Sequence, residues 1–170
     1  MKILAIRGAN LASLAGEFQI DFTTPPLADT GIFAITGKTG SGKSTLLDAI
    51  SLALYNKIAR IPKRENTRQK PNEDSISPQA HDVRTILRTG AVQAFAEVDF
   101  IGTDKKKYRA KWQVRRARRK ARGKLQNVEL SLMDIATQKQ IGGKTTETLE
   151  KIKKCVGLDF EQFNRTVLLS

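Results

Sequence analysis

The chain has 170 residues, which is enough for one domain with a hydrophobic core and short for two. Its 30 Lys and Arg against 17 Asp and Glu give a net charge of +13, and 39% hydrophobic residues are too many for a disordered chain. No apolar run approaches the roughly 20 residues of a membrane span, and the N-terminus does not have the pattern of a signal peptide. A single Cys excludes an internal disulfide, and one Cys with one His excludes a zinc site made of those ligands. We therefore expect a cytoplasmic protein with no membrane partner.

Residues 1–55 are predicted to form strands, a glycine-rich turn and a helix. Apolar and polar residues alternate over 18–22, and 2–7 is similarly strand-like, so both are predicted to be strands. The continuous apolar run 32–36 is typical of a strand buried on both faces. After the turn, apolar residues recur at helical spacing, which predicts a helix over 43–55.

The middle of the chain contains two regions with different sequence patterns. Residues 56–90 form a long polar excursion containing three prolines, with a short helix expected near 82–87. Between residues 91 and 134, three runs alternate with period two, which predicts an antiparallel meander with one buried and one exposed face. Trp112 lies on the apolar side of the middle run, so we expect it in the core.

Residues 145–170 return to a helical pattern. The first helix begins at Thr145, and Gly157 is a plausible stop signal. Asp159 and Gln162 have the spacing of a capping box, which predicts the start of a second helix.

The positive charge is concentrated in one stretch of the chain. From residue 102 to 124 there are twelve Lys or Arg and one acid. Clustered cations favour a polyanionic partner, because each neutralised phosphate releases condensed counterions. Two alternatives are a solvated hairpin and a loop that contacts another part of the protein. The DNA-contact candidates are Lys111, Arg115, Arg116, Arg118 and Arg119.

Residues 37–44 match the phosphate-binding pattern G-x-x-x-x-G-K-[ST]. Glycines let backbone N–H groups surround an anion, and the following helix points its positive end at the phosphates. Lys43 is predicted to reach the β- and γ-phosphates, and the Ser44 hydroxyl is a suitable Mg²⁺ ligand. The predicted phosphate-binding residues are Gly37, Lys38, Thr39, Gly40, Ser41, Gly42, Lys43, Ser44 and Thr45.

The loop alone does not distinguish ATP from GTP, nor does it establish hydrolysis. Hydrolysis also needs a second acidic group on the metal and a residue that orients water. Nothing after the loop marks such a residue, so no catalytic side chain beyond Lys43 is identifiable.

Several sequence blocks are distinctive. They include Met1-Lys2-Ile3-Leu4, Ile20-Asp21-Phe22, Gly42-Lys43-Ser44-Thr45-Leu46-Leu47-Asp48-Ala49-Ile50 and Ala96-Glu97-Val98-Asp99-Phe100. These blocks resemble the SbcC family of SMC-like DNA-repair ATPases. The resemblance implies an α/β fold, the N-terminal lobe of a P-loop NTPase head of the ABC/SMC type, with a mixed central sheet and the antiparallel meander. All of 1–170 would form this one lobe, with 145–170 leading to the family's Q-loop and coiled coil.

The resemblance also implies a function and partners. Family members are ATPase subunits of a double-strand-break repair exonuclease, so the implied cofactors are ATP and Mg²⁺. Asn10 and Ser13 would lie near the nucleotide base or ribose. The implied partners are DNA, the nuclease subunit SbcD, a second copy of the chain in a head dimer, and the protein's own C-terminal lobe. Residues 1–170 alone are expected to hydrolyse little or no ATP, because the remaining catalytic groups belong to other parts of the family protein.

Other interpretations of the sequence stay open. One is a different ABC-type ATPase, RecF-like, RecN-like or a transporter motor, although the basic meander argues against the last. The other is a non-catalytic nucleic-acid-binding module, which predicts DNA binding that is salt-sensitive and indifferent to ATP and to Lys43.

Overall fold

A computed structural model of the chain describes residues 1–28, 34–59 and 82–166. Six strands of these ranges form one sheet in the order β2-β1-β3-β4-β5-β6. The strands are β1 (Lys2–Leu11), β2 (Leu14–Asp21), β3 (Gln93–Ile101), β4 (Lys107–Arg115), β5 (Glu129–Asp134) and β6 (Lys139–Ile141). The helices are α1 (Lys43–Tyr55), α2 (Thr145–Val156) and α3 (Phe160–Thr166).

The expected mixed sheet is wrong for this part of the chain, because all five described strand pairs are antiparallel. The sequence also predicts a strand buried on both faces at 32–36. Residues 29–33 lie outside the described ranges, and 34–36 adopt no strand, with Ile35 37% exposed. An extended segment becomes a strand only when a neighbour pairs its backbone N–H and C=O groups, and no described strand pairs with 34–36.

The predicted meander is confirmed as β3, β4 and β5, in continuous antiparallel register. The N-terminal strands are longer than predicted. The segment from Gly8 to Leu11 has no clear alternation, yet it extends β1, because Gly8 and Ala9 pair with both β2 and β3. Pairing on both sides therefore overrides the weak local pattern.

Helix α1 covers one face of the sheet and forms the core with it. It packs against β1, β3 and β4, and its bounds match the prediction. Trp112 of β4 is fully buried, as predicted, and its Nε1 donates a hydrogen bond of 2.8 Å to Oδ1 of Asn56, which caps the end of α1. A buried indole N–H needs such a partner, so this bond fixes the end of α1 to the sheet.

The C-terminal helices also follow the sequence signals. Gly157 ends α2 with a left-handed φ of 75°. The capping box is present, since Gln162 N donates to Asp159 Oδ1 and Asp159 N donates to Gln162 Oε1. Phe163 of α3 is buried against the Tyr55 ring, with 5.3 Å between the ring centroids.

Two predicted segments lie partly outside the described ranges. They are residues 60–81 of the excursion, which include His81, and residues 167–170 of the helical pattern predicted for the last segment. The short helix expected at 82–87 is a 3₁₀ turn, Val83–Ile86, capped by Asp82. Among the described residues, no helix is long and apolar enough to cross a membrane.

Candidate nucleotide site and basic loop

The glycine-rich turn leads directly into α1, which begins at Lys43. Gly42 precedes the helix with a left-handed φ of 93°, and a Cβ there would lie 2.5 Å from Leu14 Cδ2. A Cβ on Gly37 would lie 2.8 Å from Ser41 Oγ. Glycine is therefore required at both positions, and the loop backbone is left open to a ligand.

Lys43 lies within the curve of this loop. Its Nζ donates to the carbonyl oxygens of Gly37, at 2.6 Å, and Lys38, at 2.9 Å. An ammonium group has three donors, so one remains for a ligand at the loop. Ser44 and Thr45 follow in the first turn of α1. The Ser44 side chain is exposed, as is Ser41 in the loop, whereas Thr45 is buried.

The loop and helix start fit an anion. The first turn of α1 carries no acidic residue, and the first N–H groups of a helix have no partner within it. Together with the Lys43 ammonium, these groups can bind phosphate oxygens. The Ser44 hydroxyl is the group in the loop that could hold Mg²⁺, whose remaining ligands would come from phosphate and water.

The turn between β1 and β2 borders the loop. Ser13 Oγ lies 3.5 Å from Thr45 Oγ1, so the structure brings these two predicted residues together. The Asn10 side chain is used in structural contacts: Oδ1 accepts from Gly16 N within the hairpin, and Nδ2 donates to the carbonyl of Gln93 at the start of β3. Asn10 therefore shapes the turn, while Ser13 faces the helix start.

On the face of the sheet opposite α1, an ion-pair network uses several of the cations. Asp99 accepts from Arg109 Nε at 2.7 Å and from Arg7 Nη1 at 2.9 Å. Arg7 Nη1 also contacts Glu97 Oε1 at 3.1 Å, and Lys111 Nζ lies 3.7 Å from Glu97 Oε2. These cations balance nearly buried carboxylates, so they contribute less free charge than the sequence indicates.

We expect Asp99 to stabilise the fold in a pH-dependent way. Burial alone would raise its pKa, but the hydrogen bonds from Arg109 and Arg7 outweigh that effect and lower the pKa below the ordinary value. A lowered folded-state pKa gives stability that is complete above the unfolded pKa of about 4 and is lost as pH falls through the folded value. Asp99→Asn should therefore cost about 2 kcal/mol in urea unfolding at pH 7. The difference from wild type should shrink below pH 4, and a constant difference would assign the loss to packing instead.

Three of the five DNA-contact candidates make side-chain contacts within the protein, and the other two are exposed without an ion pair in the part of the chain that the structure describes. Arg116 is used internally, since Nη1 donates to the Gly123 carbonyl and Nε to the Ala91 carbonyl. Arg115 pairs with Glu129 at 3.3 Å, and Lys111 also lies 4.8 Å from the Phe95 ring centroid. Arg118 and Arg119 are exposed, and neither forms an ion pair with another residue of the described ranges.

Residues 116–124, which we name the basic loop, are ordered by backbone hydrogen bonds. Ala117 N donates to Lys124 O at 2.9 Å, and Gly123 N donates to Lys120 O at 2.7 Å. Arg118 and Arg119 have left-handed φ values of 53° and 50°, which are unfavourable for arginine. The exposed cations of this loop are Arg118, Arg119, Lys120, Arg122 and Lys124.

Sequence reasoning missed two features near these sites. The Arg7–Asp99 contact joins residues 92 positions apart, and it can be found only once the pairing of β1 with β3 is known. Arg88 donates to the carbonyls of the β1–β2 turn, although nothing in its local pattern singled it out. The alternation of Glu97, Asp99, Arg109 and Lys111 was the available signal for the network.

A glycine loop that opens a helix packed on a sheet defines an α/β phosphate-loop nucleotide-binding domain. A family model described as "AAA domain" matches residues 5–170. The chain therefore belongs to the AAA domain family.

Named relatives match the whole chain. It is 48% identical over 172 residues to the C subunit of the nuclease SbcCD from Pseudomonas aeruginosa, and 47% identical over 170 residues to the protein of the same name from Rhodobacter capsulatus. Both matches cover 100% of this chain and 14% of the relative, so the chain spans about one seventh of these relatives' length. The resemblance to SbcC is thus confirmed.

Two solved structures share the fold. One, described as "Structural biochemistry of ATP-driven dimerization and DNA stimulated activation of SMC ATPases", has a TM-score of 0.58 at 16% identity and matches 100% of this chain and 93% of its own. Another, described as "Structure of the recombination mediator protein RecF-ATP in RecFOR pathway", has a TM-score of 0.50 at 14% identity and matches 84% of this chain and 28% of its own. The predicted P-loop NTPase head of the ABC/SMC type is confirmed as the fold class.

Proposed function

We propose that the chain is the ATP-binding lobe of a DNA-repair ATPase that controls a nuclease acting on DNA. The observation that carries this proposal is the loop, in which Lys43 Nζ lies within hydrogen-bonding distance of the Gly37 and Lys38 carbonyls at the start of α1. The similarity to SbcC proteins over the whole chain supports ATP and repair over other phosphate-loop functions.

The proposed chemistry assigns a role to each part of the site. Backbone N–H groups of 37–45 and the Lys43 ammonium bind the triphosphate, and Ser44 holds Mg²⁺, which neutralises charge on the phosphate oxygens. Ser13, which lies beside Thr45, borders the part of the site that would hold the nucleoside. Hydrolysis in the whole protein would need further acidic and water-orienting groups, so residues 1–170 alone should bind ATP and turn over little of it.

We expect Ser44→Ala to remove the gain that Mg²⁺ gives to ATP binding. The wild type should bind ATP more tightly with Mg²⁺ than with EDTA, and the variant should lose most of this difference, because the hydroxyl ligand is missing. Titration calorimetry with and without Mg²⁺ measures both affinities. Ser51→Ala, two turns further along α1, is the matched control. A full Mg²⁺ gain in Ser44→Ala would remove this residue from the metal site.

The proposed partners follow from the relatives' names. A nuclease named SbcCD whose C subunit resembles this chain has a further subunit, so we propose SbcD as the nuclease partner. We also propose a head dimer with a second copy and contact with a C-terminal lobe, because one structural neighbour is described by ATP-driven dimerisation. In this proposal one lobe contains four segments, residues 1–55, 56–90, 91–134 and 145–170. We also propose that the protein is cytoplasmic, because its single thiol is in keeping with a reducing compartment.

We further propose that the basic loop is the part of this lobe that binds DNA. Arg118, Arg119 and their exposed neighbours are free of the carboxylate contacts that use Arg109 and Lys111. Their ordered backbone lowers the conformational cost of binding a phosphate backbone. Arg116 holds the loop from inside and is assigned a structural role.

We expect charge reversal at the loop tip to weaken DNA binding and its salt dependence. Arg118→Glu with Arg119→Glu should lower affinity by at least about tenfold and flatten the slope of log K against log salt by about 2, because roughly two phosphate contacts are lost. Fluorescence anisotropy with duplex DNA at several salt concentrations measures both. Lys105→Glu with Lys106→Glu makes the same charge change about 27 Å away, at the other end of β4. Equal losses in both variants would assign binding to overall charge, not to the loop.

The alternatives make different predictions. A RecF-like protein shares the fold, but similarity over the whole chain to SbcC proteins favours the first proposal. A non-catalytic nucleic-acid-binding module would bind DNA and leave ATP unbound, and substitution of Lys43 separates the two.

A further inference from the structure

Arg88 joins the segment after the 3₁₀ turn to the turn between β1 and β2. Its Nη1 donates to the carbonyl oxygens of Ala12 and Ser13, at 3.0 Å each. Its own N–H donates to the Asn10 carbonyl at 3.0 Å, and Ala12 N donates to the Ile86 carbonyl at 2.7 Å. One arginine therefore contacts three carbonyls of the same turn.

The turn needs this support because its backbone is unfavourable. Asn10 and Ala12 have left-handed φ values of 54° and 43°, a conformation that costs most for residues with a Cβ. The Asn10 side chain supports the turn through Gly16 of the hairpin and through Gln93 at the start of β3. Arg88 lies outside the hairpin and donates to the two carbonyls at its tip, those of Ala12 and Ser13. These two residues lie past the last residue pair between β1 and β2.

The same turn contacts the start of α1. A Cβ on Gly42 would lie 2.5 Å from Leu14 Cδ2 and 3.3 Å from Ser13 Oγ, so the turn and the loop are already in close contact. Ser13 Oγ also lies 3.5 Å from Thr45 Oγ1. The turn therefore borders the loop at Gly42 and Thr45, whereas the Lys43 ammonium is held by the carbonyls at the beginning of the loop.

We propose that Arg88 is a positioning residue, which holds the β1–β2 turn as the nucleoside-side border of the site. This inference rests on the proposed ATP site and adds a residue to it. Arg88 does not need to touch the nucleotide, because it acts through Ala12 and Ser13. Loss of its guanidinium should let the turn move away from the helix start, which weakens contacts to the nucleoside and leaves the phosphate contacts of the loop in place.

The test compares the binding of ATP and of inorganic tripolyphosphate by the full-length protein. Arg88→Ala should weaken ATP binding by about tenfold, because two hydrogen bonds from a charged donor are lost. Binding of inorganic tripolyphosphate should change by less than about twofold, since that ligand lacks a nucleoside. Arg88→Lys, which keeps the charge and can reach a carbonyl, should recover part of the ATP affinity. Calorimetry gives the affinities, and thermal unfolding checks that each variant is folded.

Arg84→Ala is the matched control, because Arg84 lies in the same segment but binds Asp82 and the Gln126 carbonyl instead of the turn. It should bind both ligands as the wild type does. ATP binding by Arg88→Ala equal to wild type, or equal losses for ATP and tripolyphosphate, would overturn the positioning role alone. A wild type that binds neither ligand, as Lys43→Ala is expected to behave, would overturn the proposed site and this inference with it.

Discussion

Lys43→Ala is expected to abolish ATP binding at concentrations where the wild type is saturated. The Lys43 ammonium is held by two loop carbonyls, 2.6 and 2.9 Å away, with a donor remaining for the phosphates. Hydrogen bonds between charged groups contribute about 1.5–3 kcal/mol each, and alanine also leaves the phosphate charge uncompensated. We therefore expect a loss of about 100-fold or more in affinity, measured by calorimetry with Mg-ATP.

The matched control is Lys57→Ala, just past the opposite end of α1, where the side chain lies over the Phe160 ring at 5.3 Å. It makes the same change of residue type and charge and should bind ATP normally. If Lys43→Ala bound ATP within about threefold of wild type, the loop would not be the ATP site. DNA binding that then persisted without any response to ATP would favour the nucleic-acid-binding module.

Trp112→Ala is expected to cause a larger loss of stability than Asp99→Asn. The side chain is fully buried, and its indole N–H donates to Asn56 at the end of α1. Truncation removes most of the contact area, leaves a cavity and deprives the Asn56 amide of its partner. Such changes cost about 3–5 kcal/mol, which is a large part of the stability of a domain this size. Urea unfolding followed by circular dichroism measures the difference.

Two further variants separate the contributions at this position. Trp112→Phe keeps an aromatic ring but loses the hydrogen bond to Asn56, so it should fall between wild type and alanine. Lys107→Ala, on the same strand with an exposed side chain, should change stability by less than about 0.5 kcal/mol. A loss below about 1 kcal/mol for Trp112→Ala would mean that the end of α1 is not held by this contact.

Local signals were sufficient where the needed information lies in consecutive residues. The phosphate loop is coded by eight positions, and α1 begins at Lys43 as the pattern requires. The alternation of β3 to β5 and the Asp159–Gln162 capping box are equally local, and both are present. Helix and hairpin patterns succeed because their partners are near in sequence.

Features that depend on distant partners were not predictable in the same way. The strand expected at 32–36 needs a neighbour to pair with, and none of the described strands pairs with 34–36. Composition indicated the excess of positive charge, but it could not separate Arg116, which is bonded to the Gly123 carbonyl, from the exposed Arg118. The roles of Arg7 and Arg88 depend on contacts across 92 and 76 positions.

The bond between Trp112 and Asn56 has a practical consequence. The 170-residue chain contains a single tryptophan, so its indole emission arises from this one buried ring. The ring borders α1 at the end opposite the phosphate loop, and its emission wavelength depends on whether water reaches it. The fluorescence of Trp112 therefore reports how α1 packs on the sheet, and it can be followed during titration with ATP without an added label.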